Sequence, residues 1–339
     1  PRCRFPGPFA RIDAPARTAA GGHINPLRIA ADPFVLRRPG GYEMWFTTND
    51  SRRRLGLARA TSADGRTWSV WRSGADSVTD LVMAPQPGSW DAMGVETAHV
   101  LVDAEGTYRL YYTGDRPPQG SHTFAIGLAT SRDGITWTRR AAPVLEPQQA
   151  WERPVCGNPA NPETCRIGGV LEPSVLFDAA AGQYRMWYVG LGETPGGPRT
   201  FRIGHATSSD GIDWTRRSDP VFGPGPAGSW DSLWVSHVNV VADPGGGFHM
   251  FYFGSAHADY QEGAQMQRGA IGHAFSPDGI AWERNPANPV IARRPGNMDA
   301  WANGGPSAMF ENGRLRVWYF ASRSSAYEAE ILMAEAPCP

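Results

Sequence analysis

The side chains with the greatest catalytic potential in this 339-residue chain are a few acids and one histidine, each standing at the start of an apolar, strand-like segment. Crowding carboxylates in a partly buried place is costly, because each disfavours the charge of its neighbours. Such a set can divide into a protonated acid and an ionised base. A histidine there could donate a proton, bind a ligand, hold a metal or its water, or simply line the site. These candidate catalytic residues are Asp32, Glu96, Glu172 and His237.

A second group of candidates could bind a ligand rather than react with it. The segments Gly88-Ser-Trp-Asp91 and Gly228-Ser-Trp-Asp231 repeat the same residue types a few positions before two of the strand-like segments. Tryptophan faces stack well on sugar rings, although the repetition equally fits a structural role such as capping a loop. Arginine and histidine in nearby loops could contact sugar hydroxyls. The candidate substrate-binding residues are Trp90, Asp91, Arg116, Trp230 and His257.

An internal repeat indicates which elements position these residues. Four segments share the pattern Ser-x-Asp-Gly-x-x-Trp, with serines at Ser62, Ser131, Ser208 and Ser276. Asp-Gly favours a tight turn, because Gly accepts positive φ and Asp can hydrogen-bond to nearby backbone. We therefore expect the aspartates of all four segments to form turns rather than to catalyse.

Two further strand-like segments precede each turn. An aromatic-rich strand occurs five times, beginning with Tyr42-Glu-Met-Trp-Phe-Thr, and an apolar strand precedes each copy, as in Pro33-Phe-Val-Leu. Alternation of large apolar and other residues is typical of half-buried strands. With the strand that each Trp opens, these segments make four-stranded units. Five units predict an all-β fold, a five-bladed β-propeller, and we expect residues 1–339 to form this single domain.

The two ends of the chain are predicted to meet. The fifth unit lacks its outer strand, and residues 4–12 could supply it and so close the last blade. Cys3 and Cys338 would then be linked by a disulfide, while Cys156 and Cys165 could form a second one. Disulfides indicate an oxidising compartment, so we expect a secreted or periplasmic protein. The alternative is four unpaired thiols in a cytosolic protein.

The composition excludes several classes of function. The formal net charge is −1, which argues against a nucleic-acid partner. No apolar run approaches the roughly 18 residues of a membrane helix. All 32 basic residues are arginines, so neither a P-loop nor a Schiff-base lysine is present. We expect a monomer that contacts neither nucleic acid nor membrane.

The starts of the innermost strands of a propeller face one mouth of its central channel. The five starts read Asp32-Pro33, Glu96-Thr97, Glu172-Pro173, Ser236-His237 and Gly305-Pro306. Three carboxylates on neighbouring blades thus face the same mouth. Hydrolysis of a glycosidic bond requires such a set, with one acid to protonate the leaving oxygen and one carboxylate as base or nucleophile. The alternative is that the two glutamates only accept backbone hydrogen bonds at strand starts.

The first blade also resembles a known family group. Asp32-Pro-Phe-Val, followed by Gly41-Tyr-Glu-Met-Trp-Phe-Thr, is similar to blade one of the five-bladed glycoside hydrolases, namely the family 43 arabinanases and β-xylosidases and the family 32 invertases. The resemblance spans nearly the whole chain. It implies that Asp32 is the base of an inverting enzyme or the nucleophile of a retaining one, and that Glu172 orients the substrate and tunes pKa values.

The resemblance breaks at the general acid. The family places a Glu on blade four, where this chain has Val235-Ser-His237, so the proton donor would be Glu96 or His237. We expect a hydrolase that acts on a furanose-containing or related oligo- or polysaccharide. No cofactor is expected to be required, and binding of Ca²⁺ in the central channel is an open alternative. The alternative is a carbohydrate-binding propeller without catalysis, which the missing glutamate favours.

Overall fold

The computed structural model describes residues 3–25, 27, 29–74, 80–116, 123–153, 168–193, 199–257, 267–326 and 328–338. Regular structure in these residues is almost entirely β, and the helix found among them is a 3-10 turn, Ala150–Glu152. Within the same ranges, no helix has the length and apolar character needed to cross a membrane.

The strands form antiparallel four-stranded units. The first four units follow chain order, as β2–β5, β6–β9, β10–β13 and β14–β17, and β8 and β10 join two of them through a short parallel pairing. The last unit is β18-β19-β20-β1, so the N-terminal strand is its outer strand, which confirms the predicted pairing of the two chain ends. The bounds are β1 (Ala10–Ile12), β2 (Ala31–Arg38), β3 (Gly41–Asn49), β4 (Leu55–Ser62), β5 (Ser69–Val70), β6 (Gly94–Val102), β7 (Tyr108–Arg116), β8 (Thr123–Ser131), β9 (Thr138–Arg139), β10 (Gly168–Asp178), β11 (Gln183–Glu193), β12 (Arg199–Ser208), β13 (Thr215–Arg216), β14 (Trp234–Ala242), β15 (Phe248–Ser255), β16 (Ala270–Ser276), β17 (Glu283–Arg284), β18 (Ala302–Glu311), β19 (Arg314–Ser322) and β20 (Glu330–Pro337).

The first strands of the five units contact one another in a closed succession. Strand β2 contacts β6, and the series continues through β10, β14 and β18 back to β2. Polar side chains of one inner strand accept backbone hydrogen bonds from the next: Ser174 Oγ accepts the N–H of Val240 at 2.8 Å, and Asn239 Oδ1 accepts that of Ala308 at 2.9 Å. Apolar side chains fill the space between neighbouring sheets, as where Trp45 and Leu57 pack with Val95.

The repeated Ser-x-Asp-Gly segments are turns, as predicted. In the first, Ser62 Oγ accepts the N–H of Gly65 at 2.8 Å, and Asp64 Oδ1 accepts the N–H of Thr67 at 2.8 Å. The other three repeat these bonds. Backbone N–H donors stabilise the ionised form, so they lower the pKa of Asp133 and of Asp210 to about 2. These carboxylates are occupied by the turns.

Each turn also fastens its unit to the preceding one. An aromatic side chain of the preceding unit's second strand donates a hydrogen bond of 2.8–3.0 Å to the turn glycine's carbonyl oxygen. The pairs are Trp318 with Gly65, Trp45 with Gly134, Tyr111 with Gly211 and Trp187 with Gly279. Phe251 holds the equivalent place in the fourth unit, and its ring meets Phe9 of the N-terminal segment at 5.8 Å. The N-terminal segment therefore substitutes for a turn at this one seam.

A disulfide fixes the N-terminal segment at the seam. Cys3 and Cys338 are bonded, with a sequence separation of 335, which confirms the predicted bridge. The predicted second pair, Cys156 and Cys165, lies outside the described residues. Because a bridge of this span closes almost the whole chain into a loop, it removes much conformational freedom from the unfolded state.

We expect the double substitution Cys3→Ser/Cys338→Ser to lower the free energy of unfolding by about 2–5 kcal/mol, because the unfolded chain regains the freedom that the bridge removes. Thermal and urea unfolding of the oxidised proteins would measure the loss. Reductant should lower the melting temperature of the wild type by breaking the bridge. The variant has no such bridge, so it should lack this part of the decrease. Equal stability of the two oxidised proteins would contradict the assigned role.

Candidate active site

A bend in the backbone at the start of each inner strand directs five residues towards one pocket. Each bend coincides with a register shift between the first and second strands of its unit. The bend residues have left-handed φ values of 45° to 54°, which few non-glycine residues adopt and which are often held at functional sites. They are Asp32, Thr97, Glu172, His237 and Gly305, and all five line the pocket.

Hydrogen bonds from the bend amides to side chains of neighbouring units hold three of these bends. The N–H of Thr97 donates to Thr47 Oγ1 at 3.0 Å, and the N–H of Glu172 donates to Thr113 Oγ1 at 2.8 Å. The N–H of His237 donates to Glu172 Oε2. Each bond crosses from one unit to the next, so the strained conformation depends on contact between units.

His237 joins two of the predicted carboxylates. Its Nε2 lies 3.3 Å from Asp32 Oδ1 and 3.5 Å from Glu172 Oε1. Its Nδ1 lies 3.1 Å from Ser236 Oγ. Phe253 and Phe320 meet the imidazole edge-on, each with ring centroids 5.7 Å away. The ring is therefore fixed in orientation, with both nitrogens engaged.

The charges of the pocket favour an imidazolium between two carboxylates. Burial opposes the charge of His237, but Glu172 and Asp32 outweigh it and raise the pKa of His237 to about 9. Burial raises the pKa of Glu172 above its usual value, and the His237 charge and backbone N–H oppose that rise. At neutral pH His237 is thus positively charged and pairs with both acids.

Gly305 leaves the space that Asp32 occupies. A Cβ at position 305 would lie 2.7 Å from both Cα and Oδ1 of Asp32, closer than real contacts allow. Its φ of +54° also suits glycine. The missing side chain on the fifth unit lets Asp32 of the first unit come within reach of His237 on the fourth.

Glu96 does not lie where the comparison of the five strand starts in the sequence placed it. The bulge makes Thr97 the counterpart of Asp32, so Glu96 stands one residue earlier, at the place of Ala31 and Ser236. Its side chain is part-buried. Burial raises the pKa of Glu96 to about 8, with further upward contributions from Asp32, Glu172 and Asp115. Glu96 is therefore mostly protonated at neutral pH and lies within electrostatic range of the pocket.

The predicted substrate-binding residues Trp90, Asp91 and Trp230 do not line the pocket. Trp90 stacks on Tyr112 with ring centroids 5.9 Å apart, and Trp230 stacks on Tyr252 at 5.8 Å. Asp91 is fully buried and accepts hydrogen bonds from Tyr112 at 2.9 Å and from an arginine of β9 at 2.8 Å. The same acid–Tyr–Arg arrangement recurs around Glu152 and Asp231. These contacts are those of a repeated structural unit.

Arg116 and His257 lie at the strand ends on the pocket's side of the fold. Arg116 ends β7, pairs with Glu146, and has its guanidinium 5.9 Å from the Trp90 ring centroid. His257 follows β15, and its carbonyl oxygen accepts a hydrogen bond from Trp234 Nε1 at 2.6 Å. Neither lines the pocket, and substrate contact by these two residues stays a prediction.

Several residues that shape the pocket were not expected from the sequence. Ser236, Phe253 and Phe320 hold the imidazole, and Thr47 and Thr113 hold the bends. Only Ser236 had a sequence signal, since it adjoins His237. In the described part of the chain, no three His, Cys, Asp or Glu side chains are arranged to hold a metal ion, so Ca²⁺ in the channel stays a prediction.

Comparison with known proteins by sequence gives partial matches. No family model matches the chain. The uncharacterized protein MT1551 of Mycobacterium tuberculosis (strain CDC 1551 / Oshkosh) is 31% identical over 161 residues, or 46% of either chain. Rv1502 of Mycobacterium tuberculosis (strain ATCC 25618 / H37Rv) is 36% identical over 86 residues, or 25% of this chain and 26% of the relative. These matches span at most about half of the curated relatives.

Comparison by structure covers nearly the whole chain. A solved complex of BT0996 with RGII superposes with a TM-score of 0.71 at 18% identity, over 98% of this protein and 92% of that one. A glycoside hydrolase gives 0.70 at 17%, over 99% and 91%, and a thermostable family-43 glycoside hydrolase gives 0.65 at 17%, over 90% and 88%. At these identities the likeness concerns the fold, and for the fold it confirms the resemblance to the propeller glycoside hydrolases.

We expect Gly305→Ala to displace Asp32 and to lower the pKa of His237, because the new Cβ meets Asp32 at 2.7 Å. The left-handed backbone adds a strain of about 1–3 kcal/mol. The matched control is Gly182→Ala, which has a similar φ of +63° but no atom within 4 Å of the added Cβ. Urea unfolding and NMR titration of His237 would measure both effects. A loss of stability equal to the control's, with the His237 pKa unchanged, would contradict this role.

We expect stability to decrease with alkaline pH through His237. Its pKa is raised from 6.5 to about 9, so its contribution is complete below pH 6.5 and is lost as pH rises through 9. Glu96, raised from 4.5 to about 8, acts in the same direction at lower pH. The free energy of unfolding should fall by on the order of 1–3 kcal/mol over pH 6.5–9.5.

Urea unfolding at one-unit pH intervals would measure this dependence. His237→Gln should flatten the curve over this window, whereas His205→Gln should not, because burial lowers the pKa of His205 to about 4. The same slope in the wild type and His237→Gln would contradict the assignment.

Proposed function

We propose that this chain is a glycoside hydrolase built as a single five-bladed β-propeller. The closed succession of contacts among β2, β6, β10, β14 and β18 supports the blade count, as do the four-stranded units that these strands begin. The observation that carries the function is the convergence of Asp32, Glu172 and His237 in one strained pocket at the starts of the inner strands. The fold shared with solved glycoside hydrolases adds support.

The proposed chemistry uses the carboxylates in separate roles. Asp32 is the base or the nucleophile at the anomeric carbon. Glu172 orients the substrate and shares the charge of His237. The proton for the leaving oxygen comes from Glu96 or His237, which both hold a proton at neutral pH. The negative pocket would stabilise the positive charge that develops on the sugar ring.

The substrate we propose is a furanose-containing or related oligo- or polysaccharide, following the resemblance of the first blade to the family 43 and family 32 enzymes. We place the enzyme outside the cell or in the periplasm, as a monomer. The Cys3–Cys338 bridge favours that location, because disulfides persist in oxidising compartments.

One observation favours a second candidate, a propeller that binds carbohydrate without cleaving it. The fourth inner strand presents His237 where the related hydrolases have their acidic glutamate, and His237 is paired with Asp32 at 3.3 Å. A paired carboxylate can hold sugar hydroxyls as well as attack a sugar. Hydrolytic activity separates the two candidates.

We expect Asp32→Asn to reduce hydrolysis by roughly 10²–10⁴-fold, because the neutral amide can act neither as base nor as nucleophile. Release of reducing sugar from aryl furanosides and from plant, microbial and algal glycans would identify the substrate and measure the loss. Asp213→Asn, an exposed aspartate beside a turn, is the matched control and should keep full activity. Absence of hydrolysis by the wild type, with binding seen by calorimetry, would select the carbohydrate-binding protein.

A further inference from the structure

We propose that Glu96 is the proton donor and that His237 is a positioning residue, which holds Asp32 and Glu172 in place. This inference rests on the proposed function, which leaves the donor undecided between these two residues. It follows from the contacts that His237 already makes and from the place of Glu96 beside the pocket.

His237 is poorly placed to protonate a leaving oxygen. A sugar must fit between the proton donor and the base or nucleophile, which in glycosidases takes roughly 5–5.5 Å or 6.5–9.5 Å between the two groups. His237 Nε2 is only 3.3 Å from Asp32 Oδ1, so no scissile bond fits between them. Ser236 and the edges of two phenylalanine rings prevent the imidazole from turning away. Its proton is directed to the carboxylates.

Glu96 lacks the contacts that hold the proton of His237. Its carboxyl forms no hydrogen bond with other described residues, so its proton is not committed to a protein acceptor. The equivalent positions of the other four units hold Ala31, Leu171, Ser236 and Gly304, none of them ionisable. The repeated structure therefore does not require an acid at this position, and only this unit has one there. The adjacent Thr97 lines the pocket.

The charged groups around Glu96 maintain its proton. Asp32 on β2, Glu172 on β10 and Asp115 on β7 disfavour its ionisation, and the opposing charge of His237 on β14 is weaker than their effect combined with burial. His237 pairs with Asp32 and Glu172 rather than with Glu96. His237 thus pairs with two of the acids, and the third, Glu96, keeps its proton at neutral pH.

The proton balance of the reaction follows from this division. Glu96 transfers its proton to the glycosidic oxygen as the bond from that oxygen to the anomeric carbon breaks. In an inverting reaction, a water forms the new bond to that carbon and gives its proton to Asp32. In a retaining reaction, Asp32 forms the bond first, and water then displaces it while returning a proton to Glu96. The proton of His237 stays on the imidazole in both cases.

The test compares leaving groups in Glu96→Gln and His237→Gln. Loss of a proton donor matters most for leaving groups that need protonation, so Glu96→Gln should slow hydrolysis of the natural glycan and the phenyl glycoside by roughly 10²–10⁴-fold. It should slow the 2,4-dinitrophenyl glycoside of the same sugar far less. His237→Gln should slow all three substrates alike. Glu105→Gln, an exposed glutamate in the same unit, is the matched control and should be neutral.

A second measurement decides the inference even if no substrate is hydrolysed. Carboxyl ¹³C NMR of the free protein should show Glu96 titrating near pH 8. Titration near pH 4.5, or equal losses on all substrates in Glu96→Gln, would overturn the inference and leave the hydrolase proposal intact. Absence of hydrolysis with a raised Glu96 pKa would instead reject the hydrolase and retain the assigned protonation.

Discussion

A left-handed backbone bend begins each inner strand, and both the pocket and the joining of the units depend on it. The bend turns residues such as Asp32 and His237 towards the pocket. It is unfavourable for a non-glycine residue by itself, so other contacts must stabilise it. In three units the amide of the bend residue is bonded to a side chain of the preceding unit. The pocket therefore forms only when the units are assembled.

The seam between the chain ends matters to the pocket for the same reason. Gly305 belongs to the unit that β1 and the Cys3–Cys338 bridge complete, and it lies against Asp32 of the first unit. Trp318 of that unit also donates to the turn glycine of the first unit at 2.9 Å. Loosening the seam would thus displace Asp32 before it disturbed Glu172 on the third unit. The bridge stabilises the fold and the reactive geometry together.

Local sequence patterns were sufficient for the strands and turns, because apolar alternation marks each strand and the bonds of each turn join residues a few positions apart. The meeting of the chain ends followed from a missing strand and two cysteines. The register at Glu96 could not be read, because a bulge adds one residue and makes Thr97 rather than Glu96 the counterpart of Asp32. The burial of Asp91 could not be read from the sequence either. Its partners Tyr112 and Arg139 lie on other strands and are recognisable only once the sheets are paired.

His237 replaces the glutamate expected on the fourth blade, and the charge of the pocket makes this exchange intelligible. A glutamate there would add one more carboxylate to Asp32, Glu96 and Glu172, in place of the histidine that pairs with two of them. A histidine supplies a cation and binds two of the acids. In the proposed mechanism, the function of proton donor therefore belongs to an acid that His237 does not contact. The proposal gives this function to Glu96, which lies one residue from the pocket wall and has mainly negative groups around it.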